Sequence, residues 1–322
     1  MIDGVWQGDV DPPPELDAQK MIHGGRFRDR ITVAEPGRYH LFVSHACPFS
    51  HRVTLVHALK GLENRIGLSV VHPIWDTPEG WVFGETPLST PDRSGSGFRR
   101  LHEAYRAARP DYTGKVTVPV LWDRQARRIV NNESLDIAVM LNDGIGGDAQ
   151  IDLYPAPLRP AIDALDARIG RALASGVYAV AGARDQAEYD AATSALFGFL
   201  DECETRLADD RRFLLGDRTT LADILLFTPL VRFDAVYNPL FRTGGRRLVD
   251  YPRLTGLVRR IHDLPRVAPT VRLDHILTHY YDGDWAVARR RGIVPNPPAA
   301  SWLTDGPSLT PDYGRFGCNS AG

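Results

Sequence analysis

The chain has 322 residues, 43% of them hydrophobic, enough for two domains with their own cores. Its net charge is −2 and no apolar run approaches ~18 residues, which argues against nucleic acid as a general partner and against a membrane span. Three cysteines, at 47, 203 and 318, lie too far apart for a disulfide framework and suit a reducing compartment, the cytoplasm.

In chain order, residues 1–38 are rich in Pro, Gly and Asp and are expected to form an irregular arm, with no signal-peptide pattern visible at its start. Tyr39–Ser44 is aromatic and β-branched enough for a buried strand. Cys47 follows at a turn, and Pro48 suits the first position of a helix, where a missing N–H costs nothing. Val53, Val56, Ala58 and Leu59 then recur at helical spacing as far as Gly61.

Cys47 therefore stands at a helix start, where free N–H groups and the dipole favour a thiolate; such thiols titrate at roughly 3.5–7.5 rather than about 8.5. The bland alternative is a small buried hydrophobe at a strand end. Cys47-Pro-Phe-Ser50 lacks the second cysteine of a Cys-x-x-Cys pair, so a mixed disulfide at Cys47 must be opened by an outside thiol, with glutathione the obvious candidate. His45 and His51 flank the cysteine, but ligands spread over a strand-to-helix turn point apart, so no metal is assigned.

Leu68–Ile74 reads as a second strand, parallel to the first across a right-handed crossover. Residues 75–97 form a long loop whose Trp75, Trp81 and Phe83 either wall a pocket for a ring-shaped ligand or pack the loop down. A short helix is expected over Phe98–Ala108. Val116–Asp123 is strand-like except for Pro119, a conflict that a cis Val118–Pro119 bond would resolve, turning the Val118 backbone outward as an edge for an extended peptide. Arg128–Val130 pairs next, and Asn131-Asn-Glu-Ser134 opens a helix ending near Asn142. Glu133 and Ser134, with the free amides there, form a polar cup for an α-amino and α-carboxylate group, unless Asn132 or Ser134 merely caps the helix.

Asp143–Asp148 is the clearest linker, and everything beyond it is helical. Leu158, Ile162, Leu165, Ile169 and Leu173 form one stripe. Leu196, Phe199 or Leu200, Cys203 and Leu207 form another, which makes Cys203 inert packing. Thr220-Leu-Ala-Asp223 reads as a capping-box variant before a buried helix, and Leu254, Leu257, Val258 and Ile261 mark one more. The tail from about 283 is Arg- and Pro-rich, and Arg289-Arg-Arg291 reads as a solvated charge run.

This order resembles the glutathione transferase fold: a thioredoxin-like α/β domain over 39–145, an all-helical domain over 152–282, and a tail over 283–322. Gly37-Arg-Tyr-His-Leu41, Cys47-Pro48, Gly80-Trp-Val-Phe83, Asp111–Asp123, Asn131–Ser134, Leu230-Val-Arg-Phe-Asp-Ala-Val-Tyr237, His279-Tyr-Tyr281 and Gly292-Ile-Val-Pro295 together are similar to the Xi class, the glutathionyl-hydroquinone reductases. The resemblance implies that a cysteine thiolate takes glutathione from a hydroquinone thioether and that a second glutathione releases it as the disulfide. It implies Cys47 as nucleophile, Tyr178 and Tyr281 as hydroxyls of the hydroquinone site, Trp81, Val118, Pro119, Glu133 and Ser134 as glutathione contacts, and a homodimer. Other cysteine-type transferase activities (protein deglutathionylation, dehydroascorbate reduction, β-aryl thioether cleavage) and a non-catalytic binder of the same fold are the alternatives. Departures cluster on the acceptor side: Phe49-Ser50 where the family usually has Trp-Ala, and altered stretches after Tyr237 and Tyr281.

Overall fold

A computed structural model describes residues 1–8, 27–75, 77–143, 145–209 and 211–283. The remainder, including Cys318 and Arg289–Arg291, lies outside the described residues.

Strand β1 (Tyr39–Val43) pairs in parallel with β2 (Gly67–Val70) and antiparallel with β3 (Val120–Asp123), which pairs antiparallel with β4 (Arg128–Asn131). The sheet order is β2-β1-β3-β4. All five residues of β1 are buried, as expected of a strand covered on both faces. Alternation sorts them: Tyr39, Leu41 and Val43 join the large core, whereas Phe42 joins a second cluster with Val120, Trp122 and the helix α2 (Leu101–Ala108).

Both β2 and β3 are shorter than their apolar runs. The chain leaves the sheet after Val70, before Pro73, and the residues ahead of Pro119 stand off it; Val118–Pro119 is cis.

Helix α1 (Pro48–Leu59) makes the crossover and packs against α3 (Ser134–Asp143) and, beyond the sheet domain, against α7 (Leu221–Leu230). Eleven of its twelve residues are buried, polar ones included, because it is wedged between the two halves of the molecule. Gly61, at φ +63°, provides the left-handed turn just past its end. Gly147 lets the linker press on that same end: a Cβ there would stand 2.5 Å from the Lys60 carbonyl oxygen.

The second half comprises α4 (Arg159–Ile169), α5 (Gly176–Ala181), α6 (Gln186–Arg206), α7, α8 (Pro252–His262) and α9 (Leu273–Leu277). The anticipated stripes are buried except for Leu158, which is partly exposed ahead of α4, and Cys203 is core, its thiol pushed up to about 12 by burial. α7 begins with a reciprocal capping box between Thr220 and Asp223 and is buried along its whole length. Three wide turns, each closed by i→i+5 bonds, interrupt these helices at Gly170–Ala174, Phe233–Tyr237 and Thr278–Asp282.

Of the N-terminal stretch, the described parts lie on the sheet domain. The Met1 ammonium donates to the Gly114 carbonyl, Trp6 stacks on His102, and Phe27 is buried beside Tyr105 and Tyr112.

Candidate active site

Cys47 is the N-cap of α1, half-buried, with its backbone N–H donating to Ser44 and its carbonyl accepting from His51. Its thiol donates to the Val118 carbonyl at 3.8 Å, so the first helix start and the cis-proline loop meet at the sulfur. The amides of Phe49 and Ser50, the Arg232 charge and the Ser50 hydroxyl all favour a thiolate, but burial outweighs them and pushes the thiol up. This corrects the depressed value expected from position alone. A helix start lowers a thiol pKa only as far as the surrounding desolvation allows.

Beside Cys47, Arg52 lies over the Phe49 ring with Cζ 4.8 Å from its centroid. The Ser50 hydroxyl accepts from the Ser44 amide. Both residues that depart from the family's usual pattern are thus held in place by neighbours.

Across the cis-proline loop, Asn131 Oδ1 accepts from the Glu133 amide at 2.7 Å, so Asn131 caps this turn. Asn132, expected as a cap, instead accepts from the Phe27 amide and donates to the Tyr105 hydroxyl. Ser134 donates to the Glu133 carboxylate. Glu133 remains partly exposed, with its carboxylate and the first amides of α3 together at the helix start.

Of its two anticipated roles, the long loop shows the second: it packs down. Phe83 is buried against Phe42, and Trp81 stacks between Trp75 and His279 at centroid distances of 5.7 and 6.0 Å. His279 Nδ1 donates to the Pro73 carbonyl at 2.6 Å, binding the loop to the helical half.

From His279 the aromatic wall continues into Tyr280, Tyr178, Tyr237 and Phe241. The Tyr178 and Tyr280 hydroxyls are 2.8 Å apart. The Tyr237 hydroxyl is buried beside this pair. Burial pushes all three phenols well above their ordinary range, so each keeps its proton at neutral pH; a charge on Cys47 acts in the same direction on Tyr178.

Tyr281 was expected here; its hydroxyl donates to the Ala235 carbonyl at 2.8 Å, and it is the Tyr280 hydroxyl that meets Tyr178. Successive helical residues point about 100° apart. The wide turn at Thr278–Asp282 directs Tyr280, not Tyr281, toward Tyr178. Such turns are rare and cluster at functional sites. No group of three or more His, Cys, Asp or Glu side chains suited to a metal occurs among the described residues.

The sequence matches the profiles of the glutathione S-transferase N-terminal domain over residues 46–143 and of its C-terminal domain over 186–260. It is 42% identical over 304 residues to the glutathionyl-hydroquinone reductase PcpF of Sphingobium chlorophenolicum, covering 93% of this chain and 96% of that protein. Its fold is similar to the Xi class transferase of Natrialba magadii, with a TM-score of 0.85 at 36% identity over 94% of this chain and 95% of that one. It is also similar to the glutathione-bound YqjG of Escherichia coli K-12, with a TM-score of 0.82 at 37% identity over 92% and 95%. Combining a thioredoxin-like sheet domain, a capped helical domain and close likeness along nearly the whole chain, this protein belongs to the Xi class of glutathione transferases, the glutathionyl-hydroquinone reductase family.

Proposed function

We propose that this protein is a glutathione-dependent reductase that removes glutathione from S-glutathionyl-hydroquinones, with Cys47 as nucleophile. The observation that carries the reading is the meeting of the Cys47 sulfur with the Val118 carbonyl, with Tyr178 close enough to feel its charge. The relatives point the same way: PcpF is a glutathionyl-hydroquinone reductase, and glutathione is bound in the YqjG structure.

In the first step the Cys47 thiolate attacks the thioether sulfur. A Cys47–glutathione disulfide forms, the sulfur–aryl bond breaks, and its electron pair stays on the ring carbon, which takes a proton to give the hydroquinone. A second glutathione thiolate then attacks the bound glutathione sulfur, leaving glutathione disulfide and free Cys47. The tripeptide lies along Val118–Pro119, with its γ-glutamyl end at Glu133 and Ser134 and Trp81 beside it. The phenols of Tyr178 and Tyr280 hydrogen-bond the hydroquinone oxygens, and a phenol that keeps its proton serves as donor for the carbanion-like ring.

We also infer a cytoplasmic homodimer. A reaction that consumes reduced glutathione suits a reducing compartment, and the homodimer is what the likeness to the family implies.

The test is turnover of a glutathionyl-hydroquinone by wild type and Cys47→Ser, following glutathione disulfide. Loss of product in the variant is expected; retained turnover removes the mechanism.

A further inference from the structure

Arg232 follows α7 and is fully buried, with 0% exposure. Its guanidinium reaches across the domain boundary. Nε donates to the Ala46 carbonyl at 3.0 Å and Nη2 to the His45 carbonyl at 3.1 Å, the two residues immediately ahead of Cys47. Nη1 donates to the Thr228 carbonyl at 2.6 Å and to His51 Nδ1 at 3.1 Å. The ring of His51 is fixed in turn: the one hydroxyl proton of Thr270 goes to the Val267 carbonyl, so His51 Nε2 must donate to Thr270 and Nδ1 must present its lone pair to Arg232.

Every one of these acceptors is neutral, and no carboxylate lies within ion-pair distance of Arg232 among the described residues. A buried charge without a counter-ion is costly, and tying two carbonyls does not require one. The positive charge is therefore left to act on what surrounds it, and what surrounds it is the site. It draws Cys47, Tyr178, Tyr237 and Tyr280 toward their ionised forms, and it adds to burial in keeping His51 neutral.

We propose that Arg232 is the positioning residue of this site: its fork fixes the His45–Ala46 turn that presents the Cys47 sulfur, and its unpaired charge, alongside that of buried Arg52 on α1, is a counter-ion of the thiolate. This rests on the reading of Cys47 as the nucleophile, so the experiment reads the sulfur directly. The rate of Cys47 alkylation by iodoacetamide is followed against pH in the full-length wild type, Arg232→Gln and Arg232→Lys, with Cys47→Ser as the blank. In Arg232→Gln the midpoint moves up by about one unit, which slows alkylation below it about tenfold. Arg232→Lys keeps the charge and loses the fork: its midpoint stays near wild type, while its reductase kcat falls about tenfold with the KM for glutathione little changed. A folded Arg232→Gln with the wild-type midpoint overturns the proposal. Should that variant fail to fold, Arg232→Lys decides: wild-type kcat overturns the proposal, and a lowered kcat at an unshifted midpoint supports it. If no glutathionyl-hydroquinone is turned over even by wild type, the alkylation profiles still report on Arg232, so the two failures are told apart.

Discussion

The Cys47 thiol and the Val118 carbonyl oxygen, 3.8 Å apart, are hydrogen-bonded to each other in the ligand-free protein. A carbonyl facing the sulfur stabilises S–H and opposes the thiolate. The same carbonyl is the acceptor that an extended peptide would pair with along the Val118–Pro119 edge.

Binding and ionisation are therefore coupled. A tripeptide whose N–H takes the Val118 carbonyl removes the acceptor of the thiol proton. γ-Glutamyl-alanyl-glycine, which cannot form a disulfide, is expected to raise the thiolate absorbance of the protein at a fixed, mildly alkaline pH. An unchanged or lowered absorbance at saturation would show that desolvation by the peptide dominates and that the resting bond has no such role.

Ser50 occupies the place where a resolving cysteine would stand, and its hydroxyl favours the Cys47 thiolate while accepting from the Ser44 amide. Ser50→Ala is expected to slow alkylation of Cys47 at neutral pH by roughly tenfold or more, since one hydrogen bond to a charged group is worth about 1.5–3 kcal/mol. The pH profile of alkylation checks it, and a profile superimposable on wild type removes Ser50 from the account.

Adjacent tyrosines should behave differently. Tyr280→Phe breaks the hydroxyl pair with Tyr178, so Tyr178→Phe and Tyr280→Phe should each lower kcat/KM for the glutathionyl-hydroquinone, with the double variant little worse than either. Tyr281→Phe loses a bond to the Ala235 carbonyl and should cost about 1 kcal/mol of stability while leaving kcat/KM near wild type. If Tyr281→Phe proves the more damaging to turnover, the assignment of faces is wrong.

Which features were legible follows from how local their causes are. The β-branched run into Cys47-Pro48, the Thr220–Asp223 cap and the strand conflict at Pro119 each depend on neighbours within a few positions, and each has its structural counterpart. Arg232 had no such signal: its acceptors His45 and Ala46 are nearly two hundred positions away. The choice between Tyr280 and Tyr281 turns on a wide turn that composition does not encode. The direction of the Cys47 shift depends on how deeply the second domain and the cis-proline loop desolvate the sulfur, which a helix-start argument cannot supply.

Acid should loosen the fold from about pH 6.5 downward, although the Asp223 carboxyl, raised by burial to about 6, works the other way as it takes up its proton. His40 is buried against Ser69 with its pKa pushed down to about 4, His45 likewise to about 4, and His275, across the domain boundary from His45, to about 3. In each case the folded value lies below the unfolded 6.5, so the unfolded chain takes up protons first. Stability is full above about 6.5 and falls as pH drops toward 4 and below. For His40 alone the loss approaches about 3 kcal/mol. Denaturant titrations across that window should show the decline, and His40→Gln should make it shallower; a flat profile from neutrality to pH 4 contradicts the burial of these rings as neutral groups.

The last prediction concerns the element that carries Arg232. Asp223 is fully buried and accepts from the Leu214 amide, the Thr220 amide and the Thr220 hydroxyl at 2.8–2.9 Å. Asp223→Ala leaves two buried N–H groups without acceptors and removes the cap of α7, for which about 2–4 kcal/mol is expected. Because α7 leads directly into Arg232 and supplies the Thr228 carbonyl that holds its Nη1, fraying there should reach the catalytic turn. The variant should therefore lose denaturant midpoint and, at temperatures where it is still folded, show slower Cys47 alkylation at neutral pH. A variant within about 0.5 kcal/mol of wild type would mean that water replaces the carboxylate at this helix start.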